Sequence, residues 1–252
     1  MALERTQAVV VGRRALGERD RLVVFYTRDF GQLRGVARSV RRPRSRMVGA
    51  FEILTLGDLV FFDTGRSELV RIDHFDVRNP FAAVREDLER LGHGAWAVEC
   101  VTRLTADRDP QPALFRLLVR ALEALDAGTA PPRVAACFGL RAVDLLGQRP
   151  RLDRCMRCGR AYPFAGARLD VEAGGLVCAR CVADAGALTV SPAAAGTLRR
   201  LRAAAWADGL QLPLGRGTER ELWQLVEGLA AQLMGHPARA SRFLEQTRRG
   251  PA

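Results

Sequence analysis

Two short cysteine pairs carry the most specific chemistry in this chain. "CMRC" supplies Cys155 and Cys158, "CARC" supplies Cys178 and Cys181, and nineteen residues separate the pairs. Each C-x-x-C turn brings two sulfurs to one corner, and two turns at this separation can converge four thiolates tetrahedrally on zinc. A thiol pair or disulfide and an iron–sulfur cluster are the alternatives for the same residues. Four protein ligands fill the tetrahedron, so a zinc ion here reads as structural; a catalytic one needs an open position and a nearby base. Gly159, directly after Cys158, suits a tight knuckle in which a side chain would crowd the amides turned toward sulfur. The remaining cysteines, Cys100 and Cys137, sit in apolar helical surroundings and read as small buried hydrophobes.

The second feature is the stretch "ARSVRRPRSR". Five of the nine residues from Arg38 to Arg46 are arginine (Arg38, Arg41, Arg42, Arg44 and Arg46), and no acid occurs from Phe30 to Phe51. A solvated loop is the plain reading. An acid-free basic loop between two strand-like segments also suits a polyanion, and Arg13, Arg14 and Arg34 lie close enough in sequence to extend the patch. The chain carries a formal net charge of +11 with no lysine among its 39 basic residues. That bias weakens the case for any one arginine as a selected phosphate fork, while the net charge still favours nucleic acid or another polyanionic surface. Residues 1–80 hold 15 arginines against 10 acids, so much of the excess lies at the N-terminal end.

Catalytic constellations are not apparent. His74, His93 and His236 fall in unrelated contexts, and "GQLRG" lacks the lysine of a phosphate-cradling loop. The chain therefore reads as a binding protein without a small-molecule substrate. No stretch has the apolar length of a membrane span, and "MALERTQAVVVGRR" has an early acid and no signal-peptide core, which gives a cytoplasmic expectation.

The elements that must position these residues follow from periodicity. "TQAVVVGR", "DRLVVFYT", "GQLRGVAR", "FEILTLGDLVFF" and "ELVRIDHFDV" are five strand-like bursts separated by turn signals. Five strands in this length predict a small antiparallel barrel of OB type, with an SH3-like barrel as the alternative. Phe25, Tyr26, Phe61 and Phe62 could stack bases, but neighbours on a strand point to opposite faces, so about half must be core. At Asn79-Pro80 the spacing turns helical, with Gly92 and Gly94 as candidate breaks, and further helices run over 112–128 and 131–147. Three helices joined by short loops predict a bundle. Ser191-Pro192 opens another helix, Thr218 and Glu221 suggest a capping box, and a short helix closes the chain. The expected class is multidomain α+β: a barrel over 1–79, a helical domain over 80–150 and 190–252, and a four-cysteine zinc module inserted at 151–189.

"GERDRLVVFYTRDFGQLRGVARSVRR", followed by "GAFEILTLGDLVFF", "SELVRIDHFDV" and "FGLRAVDLLGQRPRLDRCMRCG", resembles the RecO family of bacterial DNA repair proteins over nearly the whole chain. The resemblance implies an OB-fold, a helical domain with a zinc insertion, and a non-enzymatic activity. That activity is binding single- and double-stranded DNA, annealing complementary strands and, with RecR, helping RecA replace single-strand DNA-binding protein (SSB). It assigns DNA contact to Arg38, Arg41, Arg42, Arg44 and Arg46 and metal to the four paired cysteines. It also implies a groove for the acidic tail of SSB. Ala136 and Cys137 stand where a relative has arginines, so Arg133, Phe138 and Arg141 are the substitutes. An RNA-binding or transcription-associated zinc protein is the alternative function, and a zinc-dependent nucleic-acid enzyme a further one.

Overall fold

The computed structural model describes residues 2–38, 49–65, 67–182 and 187–249. Its contacts divide the chain into two compact units, Met1–Ala127 and Gly128–Ala252.

The first unit begins with five strands: β1 (Ala2–Leu16), β2 (Asp20–Thr27), β3 (Gly31–Ala37), β4 (Leu56–Asp63) and β5 (Leu69–Asn79). They close into a barrel in the order β1-β2-β3-β5-β4. β4 pairs back onto β1, and β3 and β5 run parallel. This Greek-key closure is the OB arrangement. The alternating apolar positions of the strands turn inward: Ala8, Val10, Val23, Phe25, Leu33, Leu59, Phe61, Val70, Ile72 and Phe75 form one buried cluster, which Phe51 joins from the turn before β4. Phe25, Phe51 and Phe75 meet with ring centroids 5.4–6.2 Å apart, a spacing that adds edge and offset-stacking attraction to simple burial. Two glycines make the barrel tight. A Cβ on Gly35 would fall 2.7 Å from the Ile72 side chain, and one on Gly57 would fall 2.5 Å from the Asp76 carbonyl oxygen.

Helices α1 (Ala82–Arg85), α2 (Leu88–Leu104) and α3 (Pro112–Asp126) complete this unit. Gly92 and Gly94 do not break the helical run; they lie inside α2, and the interruption falls at Glu86-Asp87. The Asp87 carboxylate accepts from the amides of Glu89 and Arg90, a side-chain cap strong enough to restart the helix. Gly94 instead allows close approach, since its Cβ position lies 3.1 Å from the Leu54 side chain. Gln32 on β3 donates through Nε2 to the carbonyls of Thr102 (2.8 Å) and Thr105 (3.0 Å), satisfying acceptors at the end of α2 that lack helical partners. Tyr26 and Phe115 pack with centroids 6.3 Å apart. Burial rather than periodicity sets the grouping: α1–α3 share the barrel's unit, and the three helices expected as one bundle are divided between the two units.

The second unit holds α4 (Pro131–Leu145), then a small sheet of β6 (Arg168–Asp170), β7 (Gly175–Val177) and β8 (Leu188–Thr189) in the order β7-β6-β8. α5 (Pro192–Ala203), α6 (Trp206–Gln211), α7 (Arg216–Met234) and α8 (Arg239–Arg249) follow. α4 packs chiefly on α7. The Ser191 hydroxyl caps α5 through the amide of Ala194 (3.1 Å). The capping box expected at Thr218 and Glu221 is absent. α7 starts at Arg216, and Glu221 accepts from the Ser191 amide (2.6 Å) and hydroxyl (2.7 Å), bracing the start of α5. No helix among the described residues is long and apolar enough to cross a membrane.

Candidate metal centre and nucleic-acid interface

The cysteine module is built from backbone hydrogen bonds that wrap each knuckle. In the first, the Gly159 amide donates to the Cys155 carbonyl (2.9 Å) and the Cys155 amide to the Arg160 carbonyl (2.8 Å). Gly159 is needed for its φ of +74°, not for space, because an added Cβ there meets nothing within 4 Å. In the second, the amides of Cys181 (2.9 Å) and Val182 (3.0 Å) donate to the Cys178 carbonyl. The Met156 amide reaches the Leu176 carbonyl at 2.8 Å, which holds the first knuckle against β7. Gly175 lets the Arg151 backbone lie directly on that strand, where any Cβ would collide with it.

The result brings Cys155, Cys158, Cys178 and Cys181 together, with all four sulfurs within 4.8 Å of one another. A tetrahedral ion bound at about 2.3 Å per thiolate needs sulfur separations of about 3.8 Å, and Cys158 and Cys178 already stand 4.0 Å apart. That separation is roughly twice a disulfide bond length. The residues therefore fit a metal ion held by four thiolates. No histidine or carboxylate among the described residues joins the group. Burial raises the Cys155 thiol, but amides of Cys158, Cys178 and Arg157 outweigh it and bring the group down to about 6. Sharing with the Cys178 and Cys158 thiols pushes Cys181 up to about 12. Proton-sharing of this kind is what a cation would replace. Cys100 and Cys137 are buried in helices α2 and α4, as expected for small hydrophobes. His93 is a core histidine whose Nδ1 lies 2.7 Å from the Glu89 carbonyl.

On the barrel, Arg38 is exposed just beyond β3, and Arg14 is exposed near the end of β1; neither has an ion-pair partner among the described residues. Arg13 pairs with Glu52, and Arg34 pairs with Asp107 at 2.8 Å. Arg41, Arg42, Arg44 and Arg46 lie outside the described residues. Of the four aromatics considered for base stacking, Phe25, Tyr26 and Phe61 are fully buried, which leaves Phe62 on the outer face.

The three residues expected at an acidic-tail groove are engaged within their own unit. Phe138 is fully buried and offers no surface. Arg133 donates through Nε to Glu219 (2.8 Å) and through Nη1 to the Leu210 carbonyl (2.8 Å). Arg141 donates to the carbonyls of Leu201 (3.0 Å) and Ala204 (2.9 Å), neutralising the orphan acceptors at the end of α5, and lies over the Trp206 ring. These are packing and capping roles. The distant partners that create them, Glu219 above all, leave no local mark in the sequence.

Residues 1–81 match the family model described as Recombination protein O N terminal, and residues 85–242 match Recombination protein O C terminal. The chain belongs to the RecO family. It is 34% identical over 249 residues to the DNA repair protein RecO of Anaeromyxobacter sp. (strain K), covering 97% of both chains. It is 36% identical over 245 residues to that of Rubrobacter xylanophilus, covering 96% of this chain and 95% of the relative. Against the protein of Geobacter sulfurreducens it is 38% identical over 178 residues, covering 70% and 72%. The RecO resemblance drawn from the sequence motifs is thus borne out along almost the entire chain.

Proposed function

We propose that this chain is a non-enzymatic mediator of DNA repair and homologous recombination that binds single- and double-stranded DNA, anneals complementary strands and, with RecR, promotes loading of RecA onto SSB-coated single strands. The observation that carries the proposal is the full-length RecO match combined with an OB barrel from which an acid-free arginine run departs at Arg38. Annealing requires two phosphate backbones to be neutralised while base edges stay free. Arginines that touch phosphate do this without reading sequence. Arg13, Arg14, Arg34, Arg38, Arg41, Arg42, Arg44 and Arg46 are the proposed contacts. The exposed pairs Arg13–Glu52 and Arg34–Asp107 cost little to exchange for phosphate. If six phosphates are neutralised, the logarithm of affinity falls by roughly 4 per tenfold rise in salt on single strands.

The proposed metal is one zinc ion held by Cys155, Cys158, Cys178 and Cys181, where it fixes the module's fold. The SSB partnership is proposed without a contact at Arg133, Phe138 or Arg141. The proposed location is the cytoplasm.

The test is to coat complementary oligonucleotides with SSB and follow pairing with and without the protein. Acceleration that is lost in the Arg41→Ala/Arg42→Ala/Arg44→Ala variant, together with a shallower salt slope, is the expected result. Equal binding of RNA and DNA without acceleration would overturn the assignment in favour of an RNA-binding role.

A further inference from the structure

The outer face of the barrel carries a feature that phosphate neutralisation does not use. Phe62 on β4 stands opposite Arg71 on β5, and the Arg71 guanidinium carbon lies 4.4 Å from the centre of the Phe62 ring. Arg71 is exposed and has no ion-pair partner among the described residues. A planar cation laid on a phenyl ring is attracted by the ring's quadrupole and loses the rotational freedom of an ordinary surface arginine. Its outward side remains free.

The surroundings are apolar where a solvated strand face would be polar. Leu3, opposite Phe62 on β1, is 60% exposed, and Leu69, two residues before Arg71 and on the same face, is 42% exposed. Of the acids near this face, Asp63 accepts from Arg108, and Asp73 lies 2.9 Å from the His74 ring. Val36 stands opposite Arg71 on β3, and Arg38, where the arginine run starts, is two residues further along the chain. A residue pair on adjacent strands is about 5 Å apart, and Arg38 is the first residue past the end of β3, so the two positions are near neighbours. A phosphate held at Arg38 and a base lying on Arg71 can therefore belong to the same strand.

We propose that Arg71 and Phe62 form a stacking platform for an unpaired nucleobase: the base lies on the outward face of the guanidinium, the phenyl ring supports it from beneath, and Leu3 and Leu69 flank it. The platform rests on the reading of the barrel as the nucleic-acid face, and it gives that face something the arginines lack. Guanidinium–phosphate contacts do not distinguish duplex from single strand, whereas a stacking surface takes only a base that has left its partner. Every base has a π-face, so the platform selects single strands without selecting sequence.

The test compares affinities for a thymine oligonucleotide and for an abasic oligonucleotide of equal length, by fluorescence anisotropy at several salt concentrations. The full-length protein is used as wild type, Phe62→Leu, and Phe62→Leu/Arg71→Ala. Circular dichroism and a melting curve establish that each variant is folded. With the stacked base lost, the preference for the base-bearing strand should fall about fivefold or more in the double variant. Phe62→Leu should lower it without changing the salt slope, because no charge is lost. Loss of Arg71 should also leave the slope nearly unchanged, because a guanidinium that carries a base neutralises no phosphate. An unchanged preference in the folded double variant would overturn the platform. The arginine-run variant separates this failure from a larger one: if it weakens binding while the folded double variant keeps the wild-type preference for the base-bearing strand, the barrel reading stands and the platform falls. If neither weakens binding, the barrel reading falls too.

Discussion

Cys158 is the exposed member of the sulfur cluster and Cys155 the buried one, so the first knuckle contributes one ligand at the surface and one in the interior. Replacing both with serine removes half the donor set and leaves two thiols that cannot close a tetrahedron. The Cys155→Ser/Cys158→Ser protein is expected to lose its metal, read by elemental analysis per chain, and to melt at a lower temperature; a folded variant that keeps one metal per chain would contradict the assignment. Glu227 on α7 gives a second residue-level prediction. Burial raises its carboxyl above the ordinary range, and the Glu245 carboxylate raises it further. A raised folded-state value means the folded protein holds this proton more tightly than the unfolded one. Stability from this group is therefore present at low pH and lost as pH rises from the unfolded value through the folded one. Glu227→Gln should raise the melting temperature at pH 7.5 and leave it unchanged near pH 4. The metal site was legible because its information is local: two C-x-x-C turns suffice to specify it. The fates of Arg133 and Arg141 were not, because Glu219 and the α5 carbonyls that engage them lie 60 to 86 residues away in sequence. Nor could sequence alternation decide between Phe61 and Phe62, since Leu59, Val60, Phe61 and Phe62 are all apolar and leave the two faces of β4 unmarked.

At the scale of elements, glycine positions show which contacts the barrel depends on. A methyl group at Gly57 would press on the Asp76 carbonyl and the Phe75 ring, and backbone in a closed barrel cannot yield. Gly57→Ala should cost about 1–3 kcal/mol in denaturant unfolding. Gly196, inside α5 with nothing within 4 Å of its Cβ position, is the control. There alanine should be neutral or stabilise by up to about 1 kcal/mol, through helix propensity and a less free unfolded chain. A loss at Gly196 as large as that at Gly57 would remove the steric argument. The five strands and most helices were legible because burial imposes periods of two and 3.6 on the sequence. Their limits were less so. β1 runs from Ala2 to Leu16, well past its apolar middle, because both of its edges are paired. Residues 51–55 are not strand, although they read as one; Phe51 and Leu54 are buried from a turn, while Ile53 is exposed. The α1–α2 break is not legible in the sequence because an aspartate cap marks it, beside two glycines that are the stronger breakers by residue type. Glu221 reads locally as a capping-box member, but its partner, Ser191, starts another helix.

Across the whole molecule, the proposed metal and the proposed DNA contacts fall in different compact units, since the cysteines belong to Gly128–Ala252 and the barrel to Met1–Ala127. Each unit has its own enclosed side chains: Phe25, Phe61 and Trp96 in the first, Phe138, Leu201 and Leu229 in the second. A metal that binds only the folded form of one unit stabilises that unit by mass action, with a gain that grows logarithmically with free metal over its dissociation constant. The other unit gains only through whatever coupling joins them. Titration with a strong chelator should therefore lower the melting of the C-terminal unit while the barrel unit's melting stays in place, giving two resolved steps in calorimetry. Affinity for a single-stranded oligonucleotide, measured below the first step, should change by less than about twofold, because the arginines and the Phe62–Arg71 pair lie in the unit that binds no metal. Chelation that moved both transitions together and weakened DNA binding tenfold would mean that the two units fold as one and that the metal supports the barrel. Restoration by added zinc alone, and not by magnesium, would assign the effect to the thiolate site, because soft sulfur donors discriminate against hard cations.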